Sequence, residues 1–462
     1  MSRVLLISTY EMGRQPFGLA SPAAWLREAG AEVRCLDLAV EPFDGAAVEW
    51  ADLVAFFLPM HLATRLAVDA LARVRQANAA AHVCCYGLYA PTNAEHLRSI
   101  GVDTVIGGEF EQALVDLALG LAASPSANLS PSPKPLIRLD RLDFRVPDRS
   151  PLPPLERYAR VVLPDGERRT AGYTEASRGC KHRCRHCPIV PVYDGRFRIV
   201  RREVVLEDIR RQVAAGARHI TFGDPDFFNG IGHALPLVTA LQREFPDLTY
   251  DVTIKIEHLL RHAEHLRTLA ETGCLFVTSA VESFDDRVLA LLEKGHTRAH
   301  VERVLELTGD AGLVLVPTFV AFTPWITLDG YRAFLSELAR LGLVERVAPI
   351  QYAIRLLIPP GSRLLELAEV RAVIEELDAA NFVWRWRHPD PRVDELQRDV
   401  QALVHEATWR RASRREVFEE VWRHAHARRA EAATACGDAA APALPLLPAR
   451  ASVPFLTEPW FC

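Results

Sequence analysis

Two runs of alternating strand-like and helical segments, separated by a Ser/Pro-rich stretch, constrain the fold of this chain more than any other feature. In the first run, short apolar segments alternate with segments of helical spacing such as 23–29 and 65–77. This alternation is typical of a doubly wound parallel sheet, which binds ligands at the carboxyl ends of its strands. The sequence therefore predicts an α/β domain over residues 1–123, with strands at 3–8, 33–36, 51–58, 82–86 and 102–106.

The second run begins after a predicted Pro/Ser-rich linker at residues 124–155. Its strand-like segments number six, too few for a closed eight-stranded barrel, so the pattern predicts a partial (β/α)6 barrel over residues 156–363. We expect helices at 364–380 and 392–432 within a helical region at 364–435, and a flexible tail at 436–462. The predicted barrel strands are 173–176, 219–222, 249–256, 275–281, 313–319 and 350–356.

Composition and charge exclude two classes of binding partner. The chain carries 54 Lys and Arg against 59 Asp and Glu, a net charge of -5, which gives no basis for non-specific nucleic-acid binding. The longest nearly uncharged apolar stretch, residues 312–326, contains two prolines and is shorter than the roughly 18–20 residues of a membrane-spanning helix. With no pattern typical of a signal peptide at the N-terminus, we expect a cytoplasmic protein with neither nucleic acid nor membrane as partner.

The cysteine spacing points to a metal cluster. Three of the nine cysteines, Cys180, Cys184 and Cys187, fall within eight residues as CxxxCxxC, directly after the first predicted barrel strand. Three thiolates can hold three irons of a cubane cluster and leave the fourth iron open to a ligand. Zinc is the rival metal, with His182 or His186 as a fourth ligand, but the spacing matches no zinc-ribbon pattern. The pattern favours an iron–sulfur cluster.

This constellation resembles the radical S-adenosylmethionine (SAM) superfamily over roughly residues 170–360. The resemblance implies a [4Fe-4S] cluster on the three cysteines, SAM on the open iron, and an electron donor of flavodoxin or ferredoxin type. One electron then cleaves a carbon–sulfur bond of SAM, and the resulting radical attacks a small-molecule or peptide substrate. His186 occupies the position that contacts the adenine in that family.

Further SAM-binding candidates follow three later strands. The resemblance places Gly223 and Asp224 at the Gly-Gly-Glu position of the family, although the triplet differs here, and Glu282 at an acidic or polar position that contacts SAM. Glu282 is alternatively an acid at a helix N-terminus. From its place at a strand end, Lys255 is either a cavity residue or half of an exposed ion pair, and Arg355 is a candidate for binding a carboxylate.

The N-terminal unit resembles the cobalamin-binding domain that precedes the barrel in one large subgroup of radical SAM enzymes. The histidine signature DxHxxG is absent, since the loop after the first strand reads TYEMGRQPFG. Three functions remain open. The first is a radical SAM enzyme performing cobalamin-dependent methyl transfer. The second is a radical SAM enzyme without cobalamin that transfers another SAM fragment or rearranges its substrate. The third is a non-catalytic iron–sulfur or zinc sensor.

The last residues, Glu-Pro-Trp-Phe-Cys462, resemble the end of the radical SAM (seleno)proteins known for a CUAEP or CCAEP tail. Under this hypothesis the natural product continues through a UGA codon, and Cys462 is a tail thiol that visits the barrel mouth as a catalytic group. The alternative is a genuine terminus with one exposed cysteine.

Overall fold

The computed structural model describes residues 2–123, 136–433 and 453–457. Its N-terminal unit is a six-stranded, all-parallel sheet with strand order β2-β1-β3-β4-β5-β6. The strands are β1 (Arg3–Ser8), β2 (Glu32–Asp37), β3 (Leu53–Phe57), β4 (His82–Tyr86), β5 (Thr104–Gly108) and β6 (Leu136–Arg138). The helices are α1 (Phe17–Glu28), α2 (Gly45–Trp50), α3 (His61–Ala77), α4 (Ala94–Ser99) and α5 (Glu111–Ala123).

Continuous apolar runs explain this sheet. Strands β1 and β3 are buried along nearly their whole length, as expected for parallel strands covered by helices on both faces. Successive side chains point to opposite faces, so Leu5 and Ile7 pack into one core while Val4 and Leu6 pack into the other. The strand β6 is a correction to the predicted linker, because residues 136–138 pair with β5 and extend the sheet.

The second unit is a curled seven-stranded sheet with order β14-β13-β12-β11-β8-β7-β17. Strands β8, β11, β12, β13 and β14 are parallel, whereas β7 and β17 pair antiparallel at one end. Together with the first sheet, this half-barrel confirms the predicted fold class. The strands are β7 (Arg160–Val162), β8 (Arg168–Thr174), β11 (His219–Phe222), β12 (Thr249–Thr253), β13 (Cys274–Glu282), β14 (Val314–Phe319) and β17 (Phe455–Leu456), and a separate antiparallel pair is formed by β9 (Ser177–Gly179) and β10 (Phe197–Ile199).

Helices cover the outside of the half-barrel and follow it in the chain. The barrel helices are α6 (Val190–Tyr193), α7 (Arg202–Ala214), α8 (Ile231–Glu244), α9 (Ile256–Arg261), α10 (Leu266–Glu271), α11 (Asp286–Leu291), α12 (Arg298–Asp310) and α13 (Leu328–Arg340). They are followed by α14 (Ala368–Arg371), the hairpin β15 (Ile374–Asp378) and β16 (Val383–Trp386), and the long helices α15 (Pro391–Trp409) and α16 (Arg414–Ala433). No helix within the described ranges is long and apolar enough to cross a membrane.

The prediction of a sixth regular barrel strand at 350–356 is wrong. Residues 349–352 form a 3₁₀ turn, and one isolated parallel bridge joins Phe322 to Arg355. The turn begins at a proline and packs against α15 and α16. The Gln351 side chain takes the place of a sixth strand locally, since its Oε1 accepts a hydrogen bond from the backbone of Phe319 at 2.7 Å.

Two predictions for the C-terminal part are also corrected. The helix predicted at 364–380 is limited to α14, because the chain then turns into the β15–β16 hairpin through Phe382 in a left-handed conformation. The helix predicted at 392–432 is two helices, divided near Arg411, whose φ is 56°. Within the predicted tail, residues 455–456 pair with β7 instead of forming a tether. Cys462 lies outside the described residues.

Candidate functional site

The CxxxCxxC loop leaves the edge of the half-barrel where β8 ends and the β9–β10 pair begins. Cys180 directly follows β9, Cys180 and Cys184 are buried, and Cys187 is partly buried. Burial raises the pKa of the Cys180 thiol, and burial followed by the two neighbouring sulfurs raises that of Cys187 to about 12. Thiols in such surroundings ionise when a cationic metal binds them, so the donor set fits a metal centre.

The spacing of the three sulfur atoms does not match one shared tetrahedral ion. Thiolates that share one tetrahedral Zn²⁺ at about 2.3 Å stand roughly 3.8 Å from one another. The sulfur atoms of Cys180, Cys184 and Cys187 do not all lie within 4.8 Å of one another. As they stand, these three atoms are therefore too far apart to be ligands of one zinc ion.

Asp224 holds the turn that precedes the cysteine loop. Its two carboxylate oxygens accept hydrogen bonds from the backbone N–H of Ala176 at 2.9 Å and from the hydroxyl of Ser177 at 2.5 Å. Burial raises the pKa of Asp224 to about 7 despite these donors. Asp224, predicted at a SAM-binding position, therefore has a structural role here, because both of its carboxylate oxygens accept hydrogen bonds from the chain itself.

Gly223 lines the cavity beside Asp224 and has no room for a side chain. A Cβ at this position would overlap with the hydroxyl of Tyr173. The close approach of two strand ends therefore requires glycine here, which keeps the backbone of the loop after β11 accessible from the cavity.

The structure brings two predicted residues, His186 and Glu282, into direct contact. Glu282 ends β13 with a φ of 71°, and its Oε1 lies 3.0 Å from Nε2 of His186 and 3.3 Å from Nζ of Lys294. Burial alone would raise the pKa of Glu282, but the Lys294 ammonium and His186 lower it to about 2. Glu282 is therefore a buried, ionised carboxylate beside the cysteine loop. Sequence reasoning missed Lys294, which no motif singled out.

Lys255 contacts the cysteine loop and also forms an ion pair with Glu257. Its Nζ lies 3.1 Å from Nδ1 of His182 and 3.4 Å from Oε2 of Glu257. Arg355, by contrast, is paired with residues of the C-terminal part of the chain. Its guanidinium donates to Asp394 at 2.5 Å and to the carbonyl of Trp386 at 2.8 Å, and stacks over the Trp386 ring.

A cavity of about 1370 Å³ joins the two units. Residues after the strands of the N-terminal sheet line one side, among them Glu11, Met60 and Phe110, and Gly223 and Thr253 of the half-barrel line the other. Its size exceeds that of pockets for ordinary small ligands, which occupy roughly 300–1,000 Å³. The cavity is therefore larger than one small ligand requires.

Glu11 is the polar group of this cavity with the strongest reason to meet a ligand. It is buried, its Oε2 has no hydrogen-bond partner, and burial followed by the charge of Glu175 raises its pKa well above the ordinary value. A protonated carboxyl of this kind can donate to an amide or carboxylate oxygen. His61, the first residue of α3 in the same unit, has its Nε2 2.7 Å from the carbonyl oxygen of Asn381.

Arg178, immediately before the cysteine loop, forms ion pairs that connect the two units. Its guanidinium contacts Glu111 at 2.6 Å, Glu175 at 2.7 Å and Glu109 at 3.3 Å, and the Arg178 side chain is 7% exposed. Glu109 and Glu111 belong to the segment GGEFE, residues 107–111, where β5 ends and α5 begins. These two carboxylates contribute to the junction between the two units.

Comparisons with known proteins agree with this geometry. Residues 174–325 match the model of the Radical SAM superfamily. The hopanoid C-3 methylase of Methylococcus capsulatus is 26% identical over 326 residues, which is 67% of this chain and 62% of the methylase, so the chain spans less than two thirds of that relative. The tRNA-2-methylthio-N(6)-dimethylallyladenosine synthase of Bacillus subtilis is 29% identical over 124 residues, 27% of this chain and 21% of the synthase.

Two solved structures share the whole architecture. The radical SAM methyltransferase TsrM from Kitasatospora setae, with cobalamin and a [4Fe-4S] cluster bound, has a TM-score of 0.63 at 19% identity, covering 82% of this chain and 80% of TsrM. The cobalamin-dependent radical SAM enzyme OxsB, with aqua-cobalamin and SAM bound, has a TM-score of 0.68 at 15% identity, covering 88% and 67%. The chain therefore shares the fold of these enzymes, and residues 174–325 match the Radical SAM model within it.

Proposed function

We propose that this protein is a radical SAM enzyme that binds a corrinoid and transfers a methyl group to a small-molecule or peptide substrate. The observation that carries the proposal is the cavity between the two units. It runs from the carboxyl ends of the N-terminal strands, where doubly wound folds bind ligands, to the half-barrel interior beside Gly223. One cavity can thus place a ligand of the N-terminal unit against SAM.

In this proposal, different side chains bind the cluster, SAM and the corrinoid. Cys180, Cys184 and Cys187 would hold the cluster, and the partly buried His186, paired with the buried Glu282, would lie beside them to orient SAM. When bound, the [4Fe-4S] cluster and SAM supply reductive cleavage of a carbon–sulfur bond, and a corrinoid supplies a carrier for the methyl group. The chain contributes position and exclusion of water, and Glu11 offers a protonated carboxyl to the corrinoid or the substrate.

A radical SAM enzyme without cobalamin is the second candidate. It is favoured by the missing DxHxxG signature in the loop after β1 and by the contact that Nε2 of His61, after β3, makes with the carbonyl oxygen of Asn381. In that case the N-terminal unit binds substrate or a partner. A cytoplasmic location, an electron donor of flavodoxin or ferredoxin type, and Cys462 as a tail thiol remain predictions from the sequence.

The test uses anaerobically reconstituted protein and SAM labelled in its methyl group. Hydroxocobalamin should bind with a stoichiometry near one, and a reductant should release both S-adenosylhomocysteine and 5′-deoxyadenosine. Leu88→Trp, which fills the cavity from the N-terminal side, should weaken corrinoid binding, whereas Leu66→Trp on the exposed face of α3 should not. SAM cleavage without corrinoid binding would favour the second candidate, and a cluster without SAM cleavage would favour the sensor.

A further inference from the structure

Three side chains outside the CxxxCxxC set converge beside the cysteine loop. His182 lies in that loop, Asp226 in the loop after β11, and His258 on α9. Their atoms Nε2, Oδ2 and Nδ1 all lie within 4.8 Å of one another, and among the described residues no other three His, Cys, Asp or Glu side chains meet this closely. Asp226 is 1% exposed and His258 is 5% exposed. A buried carboxylate is thus placed between two imidazoles.

Asp226 forms close contacts with both histidines. Oδ2 of Asp226 lies 2.7 Å from Nδ1 of His258 and 3.4 Å from Nε2 of His182. All three atoms are buried, and none meets the angular requirements of a hydrogen bond. Buried polar atoms without a partner in that geometry are rare, and each calls for an explanation. A cation bound between the three atoms would provide one.

The distances agree with this explanation. Nitrogen and oxygen ligands lie about 2.0–2.2 Å from Zn²⁺, so neighbouring ligands of a tetrahedral ion stand roughly 3.4 Å apart. The contact of Asp226 with His182, at 3.4 Å, equals that separation, whereas the contact with His258, at 2.7 Å, is shorter and would lengthen when an ion binds. A set of two imidazoles and one carboxylate suits zinc and other first-row divalent metals, and leaves a position open.

The surroundings already orient one of the ligands. The other carboxylate oxygen of Asp226 accepts from the backbone N–H of Phe228 at 3.1 Å, which leaves Oδ2 aimed at the histidines. At His182, Nδ1 lies 3.1 Å from Nζ of Lys255 and 3.7 Å from Oε2 of Glu257, so the carboxylate is beyond hydrogen-bond distance of the ring. Glu257 lies 3.4 Å from the same ammonium and offsets its charge beside the site.

We infer that His182, Asp226 and His258 bind one divalent cation of the zinc or cobalt class, separate from the cluster held by the three cysteines. The ion would tie the cysteine loop to α9 and to the loop after β11. This site goes beyond the proposed function and does not depend on it, because the three ligands are complete without SAM, corrinoid or substrate.

The experiment uses the full-length chain, first as the reconstituted enzyme and then with all three cluster cysteines changed to serine. Co²⁺ is titrated into the serine variant, because its visible spectrum separates nitrogen and oxygen ligands from thiolates, and bound cobalt is counted by mass spectrometry. We expect about one Co²⁺ per chain in both forms. Asp226→Asn and His258→Gln should each weaken binding by about 100-fold or more, since even indirect partners of metal ligands are worth 10–100-fold.

His262→Gln provides the matched control, since His262 lies one turn further along the chain from His258 and outside the convergent group. It should leave the affinity unchanged. His182→Gln, a change in a loop, tests the same site if either buried variant fails to fold, as judged by circular dichroism. Absence of cobalt binding in the serine variant, or binding that survives the changes at Asp226 and His258, would overturn the inference.

Discussion

Replacing Arg178 by Met tests how the N-terminal unit holds the cysteine loop in place. Arg178 is the cation that directly faces three carboxylates, of which Glu109 and Glu111 are 0% exposed in their side chains. Methionine keeps much of the volume but leaves these carboxylates without their counter-charge. Removing one partner of a buried ion pair typically costs about 3–5 kcal/mol, because an uncompensated charge remains buried. We expect a loss of that size in the free energy of unfolding at pH 8.

Urea unfolding followed by tryptophan fluorescence at pH 8 and pH 5 measures this effect. The loss should be smaller at pH 5, where the orphaned carboxyls are protonated. Iron binding should also fall, because Cys180 lies two residues after Arg178. Arg145→Met, at a solvent-exposed ion pair, is the control and should leave the unfolding free energy nearly unchanged. Equal, small effects of both substitutions would refute the reasoning.

Three further predictions concern single residues. Gly223→Ala should reduce SAM affinity in equilibrium dialysis, because the added methyl overlaps with the Tyr173 hydroxyl, whereas Gly232→Ala, which meets nothing within 4 Å, should not. Glu282 has a folded-state pKa of about 2 against an ordinary 4.5, so it contributes roughly 3 kcal/mol above pH 4.5 that is lost as the pH falls towards 2. Acid unfolding of Glu282→Gln should lack that dependence. Burial raises the pKa of Glu109 to about 7, so its ionisation lowers stability as the pH rises from about 4.5 to about 7. In Glu109→Gln, Arg178 keeps Glu111 and Glu175 as partners, so in thermal unfolding this variant should be more stable than the wild type at pH 8 and no less stable at pH 5.

The sequence predicts regular elements well where the apolar pattern is continuous. The buried runs of β1 and β3 admit little besides parallel strands, and the predicted alternation is present in both units. The segment 350–356 has the same apolar character, yet it packs against α15 and α16 instead of pairing. Periodicity alone does not show whether such a short buried run pairs as a strand or packs against helices, because the apolar pattern is the same in both cases.

The candidate site shows the same contrast between residues that local spacing predicts and residues that only the fold brings together. The spacing of Cys180, Cys184 and Cys187 is local, so it is visible in the sequence. Arg355 depended on a sixth strand, and its guanidinium is instead occupied by Asp394, a residue 39 positions later. The convergence of His182 with Asp226 and His258 was not predicted, because these residues are separated by more than 30 positions in the chain and only the folded loops bring them together.

The most direct test of the account is reductive cleavage of SAM by the anaerobically reconstituted protein, measured together with iron and sulfide content. The account predicts about four irons per chain and release of a SAM cleavage product with a strong reductant. Both should be lost in Cys184→Ala and kept in Cys274→Ala, a buried thiol of the barrel core. Zinc without iron, or a complete cluster that leaves SAM intact, would contradict the assignment of a radical SAM enzyme.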